Sequence, residues 1–325
     1  MHIVIVHHSM IPVYAYGGTE RVIWDLARVL VEAGHRVTFL VPEGSSCDFA
    51  DVRFLQPEQP WASQIPNDAD VVHFQFQPQL TEDFDIPYVV TEHTNIKEKT
   101  PVSHNTIFVS KDQALRYGSD SYVLNGLDWR AYGEVDWSRP RDYYHFLGKA
   151  AWRVKNVKGA IQVAKKANVE LHVLGGDRFN IKRGFRWTLS RSITFHGMVG
   201  GEQKNQLLNG SRGMIFPVRW HEPFGLAIIE SLYFGTPIFA TPYGAIPELV
   251  PDTCGVLSAD SEVLAEAIRT RQFDPMQCHE HAKTQFDAYR MMLGYLEKYH
   301  MVIAGQPLNA EQPCLKDDFS KLAWC

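Results

Sequence analysis

The residues best suited to chemistry lie between Trp220 and Glu230, in the run Trp-His-Glu-Pro-Phe-Gly-Leu-Ala-Ile-Ile-Glu. Pro223 is suited to the first position of a helix, and Glu222 to the capping position before it. The first turn of a helix leaves backbone N–H groups unpaired beside a positive helix end, so it can bind phosphate. We therefore predict a phosphate site formed by the N–H groups of Phe224, Gly225 and Leu226.

Glu230 lies further along the same predicted helix, about 9 Å from its start at the rise of an α-helix. At that distance its carboxylate could accept both ribose hydroxyls of a nucleotide whose phosphates occupy the helix start. Glu222, at the mouth, would face the group that the phosphate carries. An ordinary capped helix with one solvated glutamate is the alternative, but two glutamates at this spacing around Pro-Phe-Gly favour a functional site.

The connection between the first predicted strand and the first predicted helix is a second candidate. It runs from His7 to Gly18, whereas such loops usually have about two to six residues. It ends in Gly17-Gly18, and paired glycines at a helix start let a ligand approach the backbone closely. A Gly-Gly pair alone more often marks a tight turn, and the stretch lacks the G-x-G-x-x-G pattern of dinucleotide-binding proteins.

Short apolar strand patterns alternate with helical patterns along nearly the whole chain, which predicts an α/β fold. A polar stretch over Asp128–Arg141 interrupts the alternation. We therefore predict two Rossmann-like, doubly wound domains, 1–138 and 139–285, that face each other across a cleft. A last helix over about 286–303 could pack back on the first domain, and the polar tail 304–325 is predicted to be poorly ordered. The predicted strands are Ile3–Val6, Val37–Val41, Val71–Phe74, Tyr88–Thr91, Thr106–Val109 and Tyr122–Leu124, then Tyr144–Leu147, Leu171–Leu174, Ile193–His196, Met214–Phe216, Ile238–Ala240 and Gly255–Leu257.

Composition and charge exclude several classes of protein. The chain has 325 residues, of which 45% are hydrophobic and 21% charged, so it is not disordered, collagen-like or a coiled coil. The net charge of −5 gives no support to nucleic-acid binding through a basic surface. Five scattered cysteines without C-x-x-C spacing indicate the reduced thiols of a cytoplasmic protein rather than a disulfide or zinc framework.

These motifs together resemble the retaining glycosyltransferases of family four, which have the GT-B fold. The E-x₇-E segment from Glu222 to Glu230 carries the resemblance, with the G-T-P-I run at 235–238 and G-A-I-P-E at 244–248. Gly17-Gly18-Thr19-Glu20-Arg21 is similar to the family's G-G-x-E-R motif, Asn125-Gly126-Leu127-Asp128 to its N-G-V-D turn, and Gly197-Met198-Val199 to its G-x-V strand end. The resemblance covers nearly the whole chain, and the ordered set of motifs is specific.

The resemblance implies a role for each matching position. Gly17 and Gly18 would give backbone N–H groups to the distal phosphate of a nucleotide-sugar donor. Glu230 would hold the ribose, and Glu222 would contact the donor sugar near its reacting carbon. His93 matches a histidine of the family that hydrogen-bonds the donor sugar, although a lone histidine at a strand end is more often structural.

The family also places an arginine and a lysine six residues apart after the first strand of the second domain. Lys155 matches the lysine, but Lys149 stands at the arginine position and cannot form a bidentate fork with phosphate. Arg153 is an alternative source of that charge, and without the family all three would be solvated cations. The base of the nucleotide would be recognised by backbone groups near Met198 and Val199.

The resemblance implies no cofactor and no metal, because lysines and helix N-termini can neutralise a diphosphate. Two Asp-x-Asp runs, Asp68–Asp70 and Asp83–Asp85, lie in turns rather than after strands, so neither is expected to clamp a metal ion. His7, His8 and His73 lie near strand ends of the first domain, where they could contact the acceptor or simply pack.

Residues 178–191 combine five basic residues with Phe179, Phe185, Trp187 and Leu189. Such a stretch could meet anionic lipid head groups or an anionic acceptor, but composition favours a surface connector. We expect a cytoplasmic enzyme, with peripheral membrane contact through this stretch as one possibility.

The function expected from the sequence is metal-independent transfer of a sugar from a nucleoside diphosphate sugar to the hydroxyl of a sugar, lipid-linked or small-molecule acceptor, with retained anomeric configuration. One alternative is an epimerase or hydrolase of nucleotide sugars on the same fold. Another is a sugar-nucleotide-binding partner without activity, and the lysine at position 149 leaves room for it.

Overall fold

The computed structural model describes residues 1–12, 17–80, 84–96, 99–180, 186–317 and 322–325. The chain divides into two compact units. Of the described residues, the first unit holds 1–12, 17–128 and 286–317, and the second holds 129–285 and 322–325. Each unit is built on one parallel sheet of six strands, so the predicted α/β class is confirmed.

The sheet of the first unit has the strand order β3-β2-β1-β4-β5-β6. Its strands are β1 (His2–Val6), β2 (Arg36–Val41), β3 (Asp51–Phe54), β4 (Val71–Phe74), β5 (Tyr88–Glu92) and β6 (Thr106–Phe108). Its first helices are α1 (Gly18–Glu32), α2 (Trp61–Gln64) and α3 (Lys111–Arg116). The order reverses between β1 and β4, and parallel α/β sheets bind ligands beside the carboxyl ends of strands at such a point.

The second sheet repeats this topology with the order β11-β8-β7-β12-β13-β14. Its strands are β7 (Tyr143–Leu147), β8 (Leu171–Leu174), β11 (Ile193–Phe195), β12 (Ser211–Phe216), β13 (Ile238–Ala240) and β14 (Gly255–Leu257). The helices of this unit are α4 (Val157–Ala167), α5 (Gly201–Asn209), α6 (Leu226–Tyr233), α7 (Ile246–Leu249), α8 (Ser261–Thr270) and α9 (Pro275–Gln285). A short antiparallel hairpin, β9 (Phe179–Asn180) and β10 (Arg186–Trp187), stands apart from the sheet. The strand order reverses between β7 and β12, which places the equivalent ligand-binding point there.

The C-terminal helix α10 (Ala288–Ile303) belongs to the first unit, where it packs on α1 and β5. Buried hydroxyl contacts fix it: the Tyr299 hydroxyl lies 2.8 Å from His73 Nδ1, and the Thr91 hydroxyl donates to that of Tyr295 at 3.1 Å. His73 is therefore a packed core residue.

The tail after α10 is ordered in the part that the structure describes, so the predicted disorder is wrong there. Val102 donates its N–H to the Pro313 carbonyl at 2.8 Å, and Lys316 donates to the Arg116 carbonyl at 2.9 Å. The final residues lie on the second unit, where the Cys325 N–H donates to the Ala259 carbonyl at 3.1 Å. The polar composition of this tail therefore gave no sign that its backbone forms hydrogen bonds with the rest of the chain.

Three further differences separate sequence and structure. Along the chain, the first unit passes into the second between Asp128 and Trp129, whereas the sequence predicted this boundary at 138–139. The predicted strand Tyr122–Leu124 forms only a single bridge, between Tyr122 and Phe108. Strand β3 had no prediction, because it is an exposed edge strand without an apolar run. Within the described ranges, no helix is both long and apolar enough to cross a membrane.

Candidate functional site

Two loops at the switch point of the second sheet carry the predicted cations and the first glutamate. A 3₁₀ turn, Arg153–Lys155, follows β7, and Glu222 follows β12. Asn156 joins the two loops from a left-handed conformation, with φ 54°. Its amide donates to the Pro217 carbonyl at 2.8 Å and accepts the Gly159 N–H at 3.2 Å, which starts α4. One asparagine thus fixes the turn that presents Lys155 beside the loop that presents Glu222.

Lys155 and Glu222 form a close ion pair. The ammonium lies 2.8 Å from Oε1 and 2.7 Å from Oε2 of the carboxylate, and both side chains are largely buried. The indole N–H of Trp220 also donates to Oε2 at 2.7 Å, and the Lys155 ammonium lies 4.9 Å from the centre of the same indole. Glu222 is therefore a rigidly held carboxylate whose charge is balanced within the unit.

The backbone of Glu222 is fixed by the loop after β13. Ala245 donates its N–H to the Glu222 carbonyl at 2.9 Å, and Gly244 forms a parallel bridge with Glu222. Gly244 has φ +68°, and a Cβ on it would clash with the backbone N and O of Glu222. The glycine of the G-A-I-P-E run is thus required by a close approach of two backbones.

The helix after Glu222 begins later than the sequence predicted. Helix α6 starts at Leu226 with Gly225 as its cap, whereas the prediction put Pro223 in the first turn and Glu222 at the cap. Gly225 takes φ +110° and accepts the Ile228 N–H at 2.8 Å, so a glycine ends the loop in a conformation that other residues rarely adopt. Phe224 is buried and precedes the helix, which leaves Leu226 as the predicted phosphate contact that lies in the first turn.

Glu230 is buried inside the second unit and held by two side chains. Its Oε1 accepts a hydrogen bond from the Tyr132 hydroxyl at 2.7 Å and forms an ion pair with the Lys204 ammonium. Lys204, on α5, is itself buried and lies 5.1 Å from the centre of the Tyr132 ring. Sequence reasoning missed Lys204 and Tyr132, since nothing in local spacing links them to a glutamate so far along the chain. It also gave no role to Trp220, which lies two residues from Glu222.

The other predicted residues of this unit lie on neighbouring loops. Lys149 follows β7, and its ammonium lies 5.2 Å from the centre of the Trp152 ring, while Arg153 is exposed in the 3₁₀ turn. Met198 is 54% exposed and Val199 is buried, just after β11. The prediction concerns the backbone groups of Met198 and Val199, so the exposure of their side chains does not test it.

In the first unit, α1 begins at Gly18 with Gly17 as its cap, so the glycine pair lies at a helix start as the sequence predicted. No side chain caps this end, and Glu20 lies in the first turn. The Glu20 carboxylate lies 3.7 Å from His7 Nε2, and this neighbouring histidine lowers the pKa of Glu20. The start of α1 therefore presents backbone N–H groups beside an ionised carboxylate.

His93 follows β5 and is a neutral imidazole. Burial lowers its pKa to about 3, and the nearby His7 adds to the effect. Its Nε2 lies 2.8 Å from the Gln75 side-chain oxygen, which can only accept, so Nε2 carries the proton and Nδ1 keeps a lone pair. The side chain can therefore accept a hydrogen bond at Nδ1 but cannot act as an acid near neutral pH.

Two groups beside His93 have polar atoms without a hydrogen bond in the described structure. His7 is buried with neither ring nitrogen bonded, and the Gln75 side-chain nitrogen is likewise unbonded. Buried polar groups are nearly always paired, so these nitrogens are exceptions among the buried polar atoms of the first unit. Among the described residues, no group of three or more His, Cys, Asp and Glu is arranged to hold a metal ion.

Family models match the chain in both units. Residues 16–121 match the model described as Glycosyltransferase Family 4, and residues 141–271 match the model described as Glycosyl transferases group 1. A search of curated proteins gave no significant match.

Solved structures are similar over nearly the whole chain. AviGT4, a glycosyltransferase involved in avilamycin A biosynthesis, has a TM-score of 0.71 at 19% identity, covering 94% of this chain and 98% of its own. Anabaena Alr3699/HepE in complex with UDP-glucose has a TM-score of 0.67 at 17% identity, covering 92% and 99%. The catalytic domain of starch synthase IV from Arabidopsis thaliana, bound to ADP and acarbose, has a TM-score of 0.68 at 11% identity, covering 93% and 99%.

Likeness at these identities establishes the fold, which is the GT-B fold that the sequence predicted. The two family models add the activity, since both describe glycosyltransferases and they match separate segments of the chain. The chain is therefore a glycosyltransferase with the GT-B fold, and it resembles family four.

Proposed function

We propose that the chain is a retaining, metal-independent transferase that moves a sugar from a nucleoside diphosphate sugar to an acceptor hydroxyl. One observation carries the proposal: Glu222 and Glu230 are both buried, and each forms an ion pair with a lysine of the second unit, Lys155 largely buried and Lys204 buried. Burying two carboxylates is costly unless their charges are used or compensated, so such a pair indicates a specific site. HepE and starch synthase IV were solved with UDP-glucose and with ADP, which supports the same class of donor here.

In this proposal Lys155 has two tasks. An ammonium has three N–H donors, and the Glu222 carboxylate takes two of them at 2.7 and 2.8 Å. The third is available to a phosphate oxygen of the donor, so Lys155 would couple the leaving phosphate to the carboxylate that faces the sugar. Lys149, Arg153 and the N–H groups of Gly225 and Leu226 would share the remaining charge.

Glu230 would accept the ribose hydroxyls of the nucleotide. Lys204 and Tyr132 hold its carboxylate in place, so no reorganisation is needed when the ribose arrives. Phe224 would act through the backbone of the loop before α6, and Met198 with Val199 through their backbone groups at the base.

For the first unit we assign roles from its own geometry and from the resemblance. The N–H groups of Gly17 and Gly18 at the start of α1 would bind phosphate. Neutral His93 would accept a hydrogen bond from a sugar hydroxyl at Nδ1. His7 through Nδ1 and Gln75 through its side-chain nitrogen, neither of which has a hydrogen bond, would contact further hydroxyls.

The proposed chemistry is attack on one face of the donor sugar. The bond between the anomeric carbon and the phosphate oxygen breaks while the acceptor oxygen bonds to the same carbon from the same side. The acceptor proton passes to the departing phosphate oxygen, so no nucleophile of the enzyme is needed. Cations and backbone N–H groups stabilise the charge that builds on the diphosphate, and this electrostatic stabilisation replaces a metal ion.

The test is a panel of UDP-, GDP- and ADP-sugars incubated with small sugar and lipid-linked acceptors in EDTA. We expect nucleoside diphosphate release that depends on acceptor, with a product that NMR shows to have the anomeric configuration of the donor. A product of the opposite configuration, or activity that EDTA abolishes, would contradict retention or metal independence. Free sugar or an epimer formed without acceptor would favour the hydrolase or epimerase instead.

Peripheral membrane contact remains part of the proposal because of the hairpin β9–β10. Phe179, Trp187 and Leu189 are 52%, 61% and 74% exposed, which is unusual for large apolar side chains so close in the chain. The basic residues Lys182 and Arg183, together with Phe185, lie outside the described residues. In a flotation assay with vesicles containing anionic lipid, Trp187→Ser and Leu189→Ser should reduce binding, and equal binding would remove this part of the proposal.

A further inference from the structure

A cavity lies at the opposite end of the second sheet from Glu222. It has a volume of about 290 Å³. Tyr144, Arg212 and Phe239 lie at the amino ends of β7, β12 and β13, whereas Glu222 follows the carboxyl end of β12. The remaining lining residues come from the segments before these strands and from the connection between α8 and α9: Arg141, Gly235, Pro237, Arg271, Gln272, Phe273 and Pro275.

Three arginines line the cavity, and they are used differently. Arg141 is anchored, since its guanidinium donates to the carbonyls of Phe234 at 2.8 Å, Gly235 at 3.2 Å and Ser211 at 3.3 Å. Arg212 and Arg271 are exposed, and within the described ranges neither guanidinium has a hydrogen bond or an ion pair. Two unpaired guanidinium groups beside a third fixed one therefore give the cavity a strong positive potential.

None of the residues that line the cavity is acidic. Asp274 lies between Phe273 and Pro275 in the chain, and its carboxylate accepts the Met276 N–H at 2.9 Å at the start of α9. The cavity thus combines three cations with no acid in its wall, an arrangement that favours a bound anion.

The walls are aromatic. The rings of Tyr144 and Phe239 meet edge to face with centroids 5.9 Å apart, and those of Phe239 and Phe273 do the same at 5.9 Å. The Arg271 guanidinium lies 5.8 Å from the centre of the Phe273 ring. An apolar wall below a cationic rim fits a ligand with a ring at one end and an anionic group at the other.

We propose that this cavity is a second ligand site, for a small phosphomonoester carried on a ring. Guanidinium forks match the geometry of phosphate oxygens, and two of them are unpaired here. A cavity of about 290 Å³ is at the small end of known ligand sites, which suits a monosaccharide phosphate or a nucleoside monophosphate and not a full nucleotide sugar. The site is separate from the proposed donor site, because it lies at the other end of the sheet.

The test is calorimetric titration of the full chain with glucose 6-phosphate, AMP and inorganic phosphate, beside glucose and adenosine as uncharged probes. The test variant carries both Arg212→Ala and Arg271→Ala. Both arginine side chains are exposed, so their removal does not change the core. The matched control is Arg191→Ala, an exposed arginine of the same unit outside the cavity. Binding of the sugar phosphate alone, or of AMP alone, tells which of the two sources the site prefers.

We expect a phosphomonoester to bind more tightly than inorganic phosphate and its uncharged counterpart, and the double variant to weaken that binding about tenfold or more. Arg191→Ala and Glu230→Gln should leave the affinity unchanged. The proposal is overturned if neither phosphomonoester binds, if the double variant binds as tightly as wild type, or if Glu230→Gln abolishes binding while the double variant keeps it. That last result would place the ligand in the donor site instead.

Discussion

The buried pair of Lys204 and Glu230 allows the sharpest structural prediction. Both side chains are more than nine-tenths buried, and the Tyr132 hydroxyl completes the hydrogen bonding of Glu230 Oε1 at 2.7 Å. Removing one member leaves the other charged and buried without its ion-pair partner. The cost of breaking such a pair is about 3–5 kcal/mol, most of it the desolvation of the remaining charge.

We therefore expect Lys204→Met and Glu230→Gln each to destabilise the second unit by about 3 kcal/mol. For a unit of this size that lowers the melting temperature by about 6–12 °C. The double variant should lose far less than the sum, with a coupling energy of about 2–3 kcal/mol, because neither charge remains and the new amide oxygen can still accept from Tyr132.

Differential scanning calorimetry of the four proteins measures this cycle, and Lys158→Met, which removes an exposed lysine of the same unit, is the control. The control should melt within about 1 °C of wild type, as exposed substitutions do. If the two single variants also melt that close to wild type, or if their effects simply add in the double variant, the buried pair does not hold Glu230 and the reasoning fails.

Three more predictions concern single residues. Burial raises the pKa of Asp25 to about 7, so the folded state binds more protons than the unfolded one between about pH 4 and 7 and loses stability as pH rises through that window. Asp25→Asn should therefore stabilise the chain by about 3–5 kcal/mol at pH 8 and hardly at all at pH 4. A gain in stability that does not depend on pH would refute this. Gly244→Ala should lower the free energy of unfolding by about 2–4 kcal/mol and weaken donor binding, because the new Cβ would clash with Glu222. The control Gly201→Ala, at φ +52° with open space around it, should lower it by only about 1 kcal/mol. Equal melting temperatures of the two variants would contradict the clash. His93→Phe should lower kcat about tenfold while donor affinity changes less. The pH profile of the wild-type rate should show no inflection from His93 above about pH 4, since burial holds its pKa near 3. An inflection near pH 6.5 that His93→Phe removes would show that the protonated imidazole takes part instead.

Much of the fold could be predicted because parallel strands buried on both faces are continuous apolar runs. Ile3–Val6 and Leu171–Leu174 are such runs, and the structure has strands there. We did not predict strand β3, because it is an edge strand whose residues, Asp51 to Phe54, are mostly exposed and alternate between charged and apolar side chains. Tyr122–Leu124 has the composition of a strand but forms a single bridge, because Tyr122 meets Phe108, the last residue of β6.

The start of α6 shows where local rules mislead. A proline is favoured in a first helical turn, so Pro223 was a reasonable first residue. The backbone instead turns at Gly225, whose φ of +110° no propensity scale anticipates, and the helix begins at the next residue, Leu226. The glutamates of the motif were still predictable, because their spacing in the sequence is independent of where the helix begins.

Partners distant in sequence were not predictable at all. Lys204 resembles a solvated lysine on a polar helix, and Tyr132 lies in a segment without periodicity, yet both bind Glu230. Trp220 is two residues from Glu222, but only the fold turns its N–H onto the carboxylate. Pairing of this kind depends on how strands and helices are arranged, and no spacing rule along the chain contains that information.

The central claim is that the second unit binds the nucleotide of a sugar donor through Glu230 and Lys155. Titration calorimetry with UDP, GDP and ADP tests it most directly, on wild type, Glu230→Gln, Lys155→Met and the control Lys158→Met. The account predicts that at least one of the three nucleotides binds, that the control binds it equally well, and that both site variants bind it about tenfold more weakly or worse, a loss of about 1.4 kcal/mol or more. Binding of none of the three, or equally tight binding by both site variants, would contradict it.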